Sequence, residues 1–216
     1  VLDTETTGID PSEGHRIIEV GAVQILDREI TSTEFHRYVQ PNRKVGESVN
    51  IHGITDKFLI NKPQFNQISD DLLSFIEGAT LVIHNAPFDL GFLNNELKLI
   101  DIKETIESIC TVIDTLKLSK QQRPGTMHNL DALCRRFGVD TSARTRHGAL
   151  LDAQILAQVY LAMTGGQSSL FQEVTNTESN QTDPSLIKKV KENRDKIKVI
   201  YANKNELEAH KNYFQN

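Results

Sequence analysis

The chain has 216 residues and a formal net charge of −5, enough length for one substantial core with appendages. The acidic balance argues against a large nucleic-acid-binding surface, because Lys and Arg normally supply most of the affinity for phosphates. Its two cysteines show no repeated spacing, which excludes a disulfide framework and predicts a reduced, cytoplasmic protein. No apolar run reaches the roughly 20 residues that span a bilayer, and no signal-peptide pattern is present.

Apolar periodicity predicts the secondary structure in chain order. The predicted strands are 1–4, 17–26, about 35–39, 80–84 and about 109–113. The predicted helices are about 65–77, one that begins near residue 87 after Asn85 as N-cap, about 129–137, and about 148–163. Antiparallel strands followed by alternating helices and strands predict an α/β fold with a mixed β-sheet flanked by helices. The sequence starts without Met inside a predicted strand, so we expect a few residues to precede it in the natural chain.

Two acids alternate in the first predicted strand, Asp3 and Glu5. Side chains at i and i+2 of a strand project from the same face, so these carboxylates lie together. Such a pair repels unless a cation lies between its members. The alternative is that both lie on the solvated face of an edge strand. The apolar start of the strand and the depletion of Asp in strands weigh against that alternative.

Three further candidates lie far along the chain. Asp89 is predicted in the first turn of a helix, His147 in a loop, and Asp152 about one turn into the last helix of the domain. Oxygen-rich ligand sets suit Mg²⁺ or Mn²⁺. Four acids and one imidazole can hold two such ions about 3.5–4 Å apart, the arrangement used for in-line displacement at phosphorus. His147 is not needed as a ligand and is free to accept a proton.

These residues lie in segments that resemble the histidine-bearing DEDD exonucleases, and among them the proofreading epsilon subunits of bacterial DNA polymerase III. The matching segments, in family order, are Leu2–Gly8, Ile18–Ala22, His52–Ile54, His84–Asp89, Asn129–Cys134 and His147–Ala153. The resemblance covers roughly residues 1–165. It implies an RNase H-like fold and removal of nucleotides one at a time in the 3′→5′ direction with two Mg²⁺ or Mn²⁺ ions.

The resemblance also implies a role for each matching residue. The metal ligands are Asp3, which bridges the two ions, with Glu5, Asp89 and Asp152. His147 is the general base that orients and deprotonates the attacking water. Thr6 and the neighbouring backbone grip the 3′-terminal nucleotide, which also contacts Asp3, Glu5 and Asp152. Weaker candidates for the nucleotide pocket, each with packing or capping as the alternative, are Leu2, His52, Asn85 and Phe92.

Three other polar residues are interpreted more conservatively. Asp114 is a candidate to support the site indirectly. His128 and Asp131 are assigned structural roles at the start of a helix, where an acid in the first turn needs no further explanation.

The end of the chain changes character after the exonuclease domain, which we place at residues 1–166. Gln167, Leu170 and Phe171 resemble the anchors of peptides that dock bacterial polymerase components on the sliding clamp, although they could instead fold back on the domain. Residues 172–185 are polar and predict a flexible linker. Residues 186–216 hold eight Lys or Arg and four Asp or Glu, a net charge of +4. The resemblance implies that this basic tail tethers the protein to the polymerase alpha subunit, the alternative being a solvated end.

The leading hypothesis is therefore a proofreading 3′→5′ exonuclease acting on frayed or mismatched DNA ends. A 3′ exoribonuclease of the same family would carry an identical active site. The clamp-like peptide and the tail favour DNA, because an RNA-trimming enzyme has no use for them. A non-enzymatic bridge between clamp and polymerase is the third possibility, and the presence of all five site residues argues against it as the sole function.

Overall fold

The computed structural model describes residues 1–142, 144 and 146–165. The predicted clamp peptide Gln167–Phe171, the linker at 172–185 and the basic tail at 186–216 lie outside the described residues. Within the described part, no helix is long and apolar enough to cross a membrane.

Five strands and eight α-helices make up the described chain. The strands are β1 (Leu2–Thr6), β2 (Ile17–Leu26), β3 (Glu29–Tyr38), β4 (Thr80–Ile83) and β5 (Thr111–Asp114). The helices are α1 (Val49–His52), α2 (Asp56–Leu59), α3 (Ser69–Ile76), α4 (Ala86–Leu99), α5 (Ile106–Ile109), α6 (Thr115–Gln122), α7 (Leu130–Phe137) and α8 (Ala149–Gly165).

The strands have the mixed directions that the sequence predicts. β1, β2 and β3 form an antiparallel sheet in that order, and β4 pairs with β5 in parallel. β4 also contacts β1, so the two sets of strands are neighbours. Helix α8 packs over β1 and β2. The predicted α/β architecture is confirmed.

The hydrophobic core occupies both faces of these strands. On one face, residues of α3 and α4 such as Leu72 and Phe92 pack with Leu2 of β1 and Ile83 of β4. On the other face, residues of α8 such as Leu156 pack with Val1, Val23 and Val82. Helices therefore cover both faces of the strands. β1 lies between β2 and β4, and its side chains point alternately to one face and to the other.

Several boundaries differ from the predictions for physical reasons. β3 begins at Glu29 because Asp27 and Arg28 adopt left-handed φ values of 49° and 66° and make a tight hairpin turn. The first half of β3 is largely exposed, so apolar alternation could not reveal it. The helix expected over 65–77 is a 3₁₀ turn at Phe65–Gln67 followed by α3. The prediction omitted α1, α2 and α5, which at four residues each are too short to show a periodic stripe. It also omitted α6, whose eight residues are mostly polar.

The start of α4 differs from the expected capping arrangement. Asn85 occupies the N-cap position with a left-handed φ of 65°, and its side chain makes no capping bond. Its backbone N–H donates instead to Oδ1 of Asp114, 3.1 Å away. The same oxygen accepts from the backbone N–H of Leu116 and Lys117 at the start of α6. Asp114 therefore joins α6 to the loop that leads into α4.

Candidate active site

Strand β1 presents its two acids on one face. Burial alternates along the strand, with Leu2, Thr4 and Thr6 buried and the acids between them partly exposed. Asp3 pairs with Gly21 of β2, and Glu5 pairs with Glu19. This is the face that α8 covers, so the acids face a helix and are not merely at a solvated edge.

A glycine allows α8 to lie directly on this face. A Cβ added to Gly21 would come 2.2 Å from the backbone nitrogen of Leu150. The helix start is also held by Glu19, whose Oε2 accepts from the backbone N–H of Ala149 at 3.2 Å. Glu19 is 3% exposed, and its other oxygen lies 2.7 Å from Nε2 of His36. These contacts fix the first turn of α8, which carries Asp152.

Helix α4 contributes the fourth acid, Asp89, from its first turn. The side chain is buried, and the hydroxyl of Thr4 donates to its Oδ1 at 2.7 Å. The charge of Asp89 raises the pKa of both Asp3 and Glu5, so its carboxylate lies near the two acids of β1.

Three of the acids and the histidine line one cleft of about 410 Å³, and the buried Asp89 lies close enough for its charge to act on Asp3. The walls of the cleft include Asp3, Glu5, His147 and Asp152. Ligand atoms of Glu5, His147 and Asp152 lie within 4.8 Å of one another. His147 is half exposed, with Nδ1 3.1 Å from Oδ2 of Asp152. Three segments that are far apart in the sequence thus converge, as their motifs predict.

The protonation of the acids reflects their crowding. Burial raises the pKa of Asp3 well above its usual range, with further increases from the charges of Asp89, Asp152 and Glu5. Burial, followed by the charge of Asp152, raises the pKa of Glu5 to about 8. Burial also raises the pKa of Asp89 to about 7, against the lowering effect of the Thr4 hydrogen bond. Carboxyls with such values hold protons near neutral pH unless a cation compensates their charge.

Two residues that the sequence did not place in the site also reach it. Arg144 binds both oxygens of Asp152, with Nε–Oδ1 at 2.5 Å and Nη2–Oδ2 at 2.7 Å, and its Nη1 donates to Asp131. Asp131 lines the cleft and binds Arg144, and its assigned structural role stays a prediction. His128 does have a structural contact, with Ser119 Oγ at 3.0 Å from its Nδ1. No local pattern marks Arg144, since its partners are 8 and 13 residues away.

The predicted nucleotide-pocket residues separate into two groups. Leu2 and Phe92 are fully buried in the core, so they support the site from behind and offer no surface to a nucleotide. Asn85 is exposed at the start of α4, and the buried Thr6 hydroxyl donates to the carbonyl of Gly8 at 2.5 Å. His52 is buried near Thr6 and His147, and burial lowers its pKa.

His52 has an unusual hydrogen-bonding state. Its Nδ1 accepts from the backbone N–H of Ile54 at 3.0 Å, so the neutral ring carries its proton on Nε2. Within the described part of the chain, Nε2 is a buried nitrogen without a hydrogen-bond partner. The backbone of Thr6 lies close enough to raise the pKa of His52 against the larger, lowering effect of burial.

Hard divalent cations fit this donor set. The converging groups are carboxylate oxygens with a single imidazole, and the buried free thiols Cys110 and Cys134 are not in the cleft lining. Mg²⁺ and Mn²⁺ prefer such ligands. Burial, together with the charges of neighbouring acids, raises the pKa values of Asp3, Glu5 and Asp89, and a bound cation would favour their charged forms.

The sequence of the chain is similar to those of known exonucleases and DNA polymerase subunits. The model of the RNase_T family, described as "Exonuclease", matches residues 1–160. DNA polymerase III subunit epsilon of Pasteurella multocida is 46% identical over 218 residues, covering 99% of this chain and 86% of that protein. The subunit of the same name from Escherichia coli K12 is 46% identical over 217 residues, covering 97% of this chain and 89% of that protein.

Solved structures share the fold at lower identity. Exonuclease X in complex with 5′ overhanging duplex DNA has a TM-score of 0.59 and 24% identity, and the match covers 77% of this chain and 91% of that one. Cell-death related nuclease 4 has a TM-score of 0.64 and 18% identity, covering 76% of this chain and 62% of that one.

Proposed function

Because the chain belongs to the exonuclease family, among the epsilon subunits of DNA polymerase III, we propose that it removes mispaired nucleotides from 3′ ends of DNA. The enzyme class follows from the family, and the chain is a 3′→5′ exonuclease. The observation that carries the proposal is the convergence of Asp3, Glu5, His147 and Asp152 at one cleft, with Asp89 close enough for its charge to act on Asp3.

The acids hold two divalent cations, Mg²⁺ or Mn²⁺, in this proposal. Asp3 would be one ligand, and the charges of the three other acids all reach it. Glu5, Asp89 and Asp152 complete the set. When bound, the cations lower the pKa of the attacking water and stabilise the charge that develops on the phosphate.

His147 takes the proton from the attacking water. A nitrogen of its ring lies within 4.8 Å of carboxylate oxygens of Glu5 and Asp152, and the side chain is half exposed. His147 can therefore reach a water beside the acids. The water oxygen forms a bond to the terminal phosphorus as the bond from phosphorus to the 3′ oxygen of the preceding nucleotide breaks. The products are a nucleoside 5′-monophosphate and a strand with a new 3′ hydroxyl.

The terminal nucleotide contacts Thr6 and His52 beside these acids. The unpaired Nε2–H of His52 supplies a hydrogen-bond donor for the sugar or phosphate. Discrimination comes from the cost of unpairing the end, because a mismatched terminus separates from its template more readily than a matched one.

A primer assay tests the substrate. The purified chain is incubated with 3′-mismatched DNA, matched DNA and an RNA of the same sequence, each with Mg²⁺, Mn²⁺ or EDTA, beside Asp3→Asn. We expect metal-dependent shortening of DNA in one-nucleotide steps, faster at the mismatch and lost in the variant. Strong preference for RNA would assign the chain to RNA-end trimming, and no cleavage of any substrate would leave the bridging role.

The partners extend the proposal to residues 167–216. Gln167, Leu170 and Phe171 dock on the sliding clamp, with two apolar anchors and an amide that fixes the register. The basic tail, with its net charge of +4, binds the polymerase alpha subunit. Replication partners and two reduced cysteines together favour the cytoplasm.

Clamp binding has an internal control. Changing Gln167, Leu170 and Phe171 to Ala should abolish binding in a clamp titration and leave nuclease activity intact, whereas Asp3→Asn should do the reverse. Ser168→Ala with Ser169→Ala alters the same peptide but spares its anchors, so clamp affinity should persist. Unchanged affinity of the triple variant would refute the docking assignment.

A further inference from the structure

Arg144 places a permanent positive charge where the proposed mechanism requires a cation. Its guanidinium forms a two-bond fork with Asp152, at 2.5 and 2.7 Å, and donates to Asp131 through Nη1. The Arg144 side chain is only 9% exposed. An arginine cannot lose its proton in a protein, so this charge is always present.

The fork uses the same oxygens that a metal ion needs. A carboxylate offers about four lone-pair positions, and Arg144 takes one on each oxygen of Asp152. His147 Nδ1 lies a further 3.1 Å from Oδ2. The guanidinium and a cation therefore compete for the same two oxygens and for the charge of one carboxylate.

The same guanidinium also engages the proposed base. Nη2 of Arg144 lies 2.9 Å from Nδ1 of His147. The same ring nitrogen lies 3.1 Å from Oδ2 of Asp152, so Arg144, His147 and Asp152 form one contact cluster.

We propose that Arg144 is an internal counter-ion that competes with the divalent cation for Asp152 and is displaced from it when the cation binds. The inference rests on the proposed function, since it concerns the cation of that mechanism. Arg144 acts through Asp152 and is not itself a catalytic residue.

The surroundings offer the displaced side chain a second position. Asp131, at the start of α7, is 57% exposed and already binds Nη1. A neighbouring pocket of about 200 Å³ is lined by Asp131, Thr141 and Arg146 beside Arg144 and His147. Arg144 can therefore leave Asp152 while keeping an acidic partner at the rim of the cleft.

Cation affinity tests the competition without using activity. Calorimetric titration of the full chain with Mn²⁺ compares the wild type with Arg144→Gln and Arg144→Lys. We expect Arg144→Gln to bind about tenfold more tightly, the scale of one charge-assisted pair, with Arg144→Lys between it and the wild type. Arg135→Gln removes the same charge from an exposed position in the last turn of α7 and should match the wild type.

A spectroscopic measurement follows the side chain directly. In ¹⁵N NMR spectra of the metal-free chain, the Arg144 Nε–H should give a resonance protected by its bond to Asp152, assigned by its loss in Arg144→Lys. Mg²⁺ should shift this resonance and make it exchange with water.

Three outcomes would overturn the proposal. Equal or weaker Mn²⁺ binding by Arg144→Gln would show that Arg144 does not compete. An unaltered Nε–H resonance at saturating Mg²⁺ would show that it does not leave Asp152. If Arg144→Gln failed to fold, wild-type Mn²⁺ affinity in Arg144→Lys would likewise show that Arg144 does not compete. Absence of cation binding by the wild type would instead refute the two-ion mechanism, and this inference with it.

Discussion

Replacing Gly21 by Ala should move Asp152 of α8 away from Asp3 and Glu5 of β1. The new Cβ would lie 2.2 Å from the backbone nitrogen of Leu150, whereas ordinary Cβ contacts begin near 3.4 Å. The obstacle is helix backbone that cannot rotate away, so α8 must move from β2 by about 1.2 Å, the difference between these distances. This movement carries Asp152 away from Asp3.

Gly21→Ala should affect both the free energy of unfolding and the exonuclease rate. Overpacking of this kind costs about 1–3 kcal/mol of unfolding free energy. A misplacement of about 1 Å in a catalytic arrangement can lower the rate about 100-fold. We therefore expect the exonuclease rate at saturating metal to fall far more than the fraction of folded protein, measured by urea denaturation on the same sample.

Gly91 provides a matched control. It lies inside α4, two residues after Asp89, and the nearest heavy atom to a Cβ there is Pro11 Cγ at 3.9 Å. Gly91→Ala should keep the wild-type rate and gain about 0.5–1 kcal/mol in stability, because Ala favours the helix. Wild-type rate and stability in Gly21→Ala would refute the claim that close β2–α8 contact builds the site.

Three further predictions concern the core, the acids and the base. Glu96→Gln should lower the unfolding free energy, measured by urea denaturation, by about 1–3 kcal/mol. The reason is that Glu96 is 1% exposed and binds Arg16 through both oxygens, at 2.7 and 2.6 Å. The activity per folded molecule should persist. The melting temperature of the metal-free protein should fall from about pH 4 to about 8. Glu5 and Asp89, with pKa values raised to about 8 and about 7, bind protons in the folded state that the unfolded state has released. Saturating Mg²⁺ should flatten this dependence, and a rise of melting temperature with pH in EDTA would contradict it. His147→Gln should lower the rate about 10²–10⁴-fold in a primer assay while Mn²⁺ still binds in calorimetry; loss of both would assign His147 to the ligand set.

The positions of the four acids were predictable because their signals are local. Asp3 and Glu5 share a face through the two-residue period of a strand, and the structure shows that period directly. Asp89 and Asp152 each lie in the first turn of a helix, which short apolar patterns and a preceding loop reveal. Backbone geometry within a few residues fixes where each of these side chains points.

The supporting residues were not predictable because their signals are not local. Glu19 binds the backbone of Ala149, 130 positions away, and this contact exists only after β2 and α8 have packed together. Arg144 reaches Asp131 and Asp152 from an irregular segment without periodicity. Phe92 was predicted as a pocket residue because it lies close to the Asp89 motif in the sequence. The structure instead buries it in the hydrophobic core.

The most direct test of the mechanism is the identity of the released product in ¹⁸O-labelled water. Mass spectrometry of nucleotides released from a 3′-mismatched primer should show nucleoside 5′-monophosphates with one ¹⁸O on phosphorus. Their formation should require Mg²⁺ or Mn²⁺ and should cease in Asp3→Asn. Products with a 3′ or cyclic phosphate, or undiminished release by Asp3→Asn, would contradict water attack at the terminal phosphodiester in this acidic site.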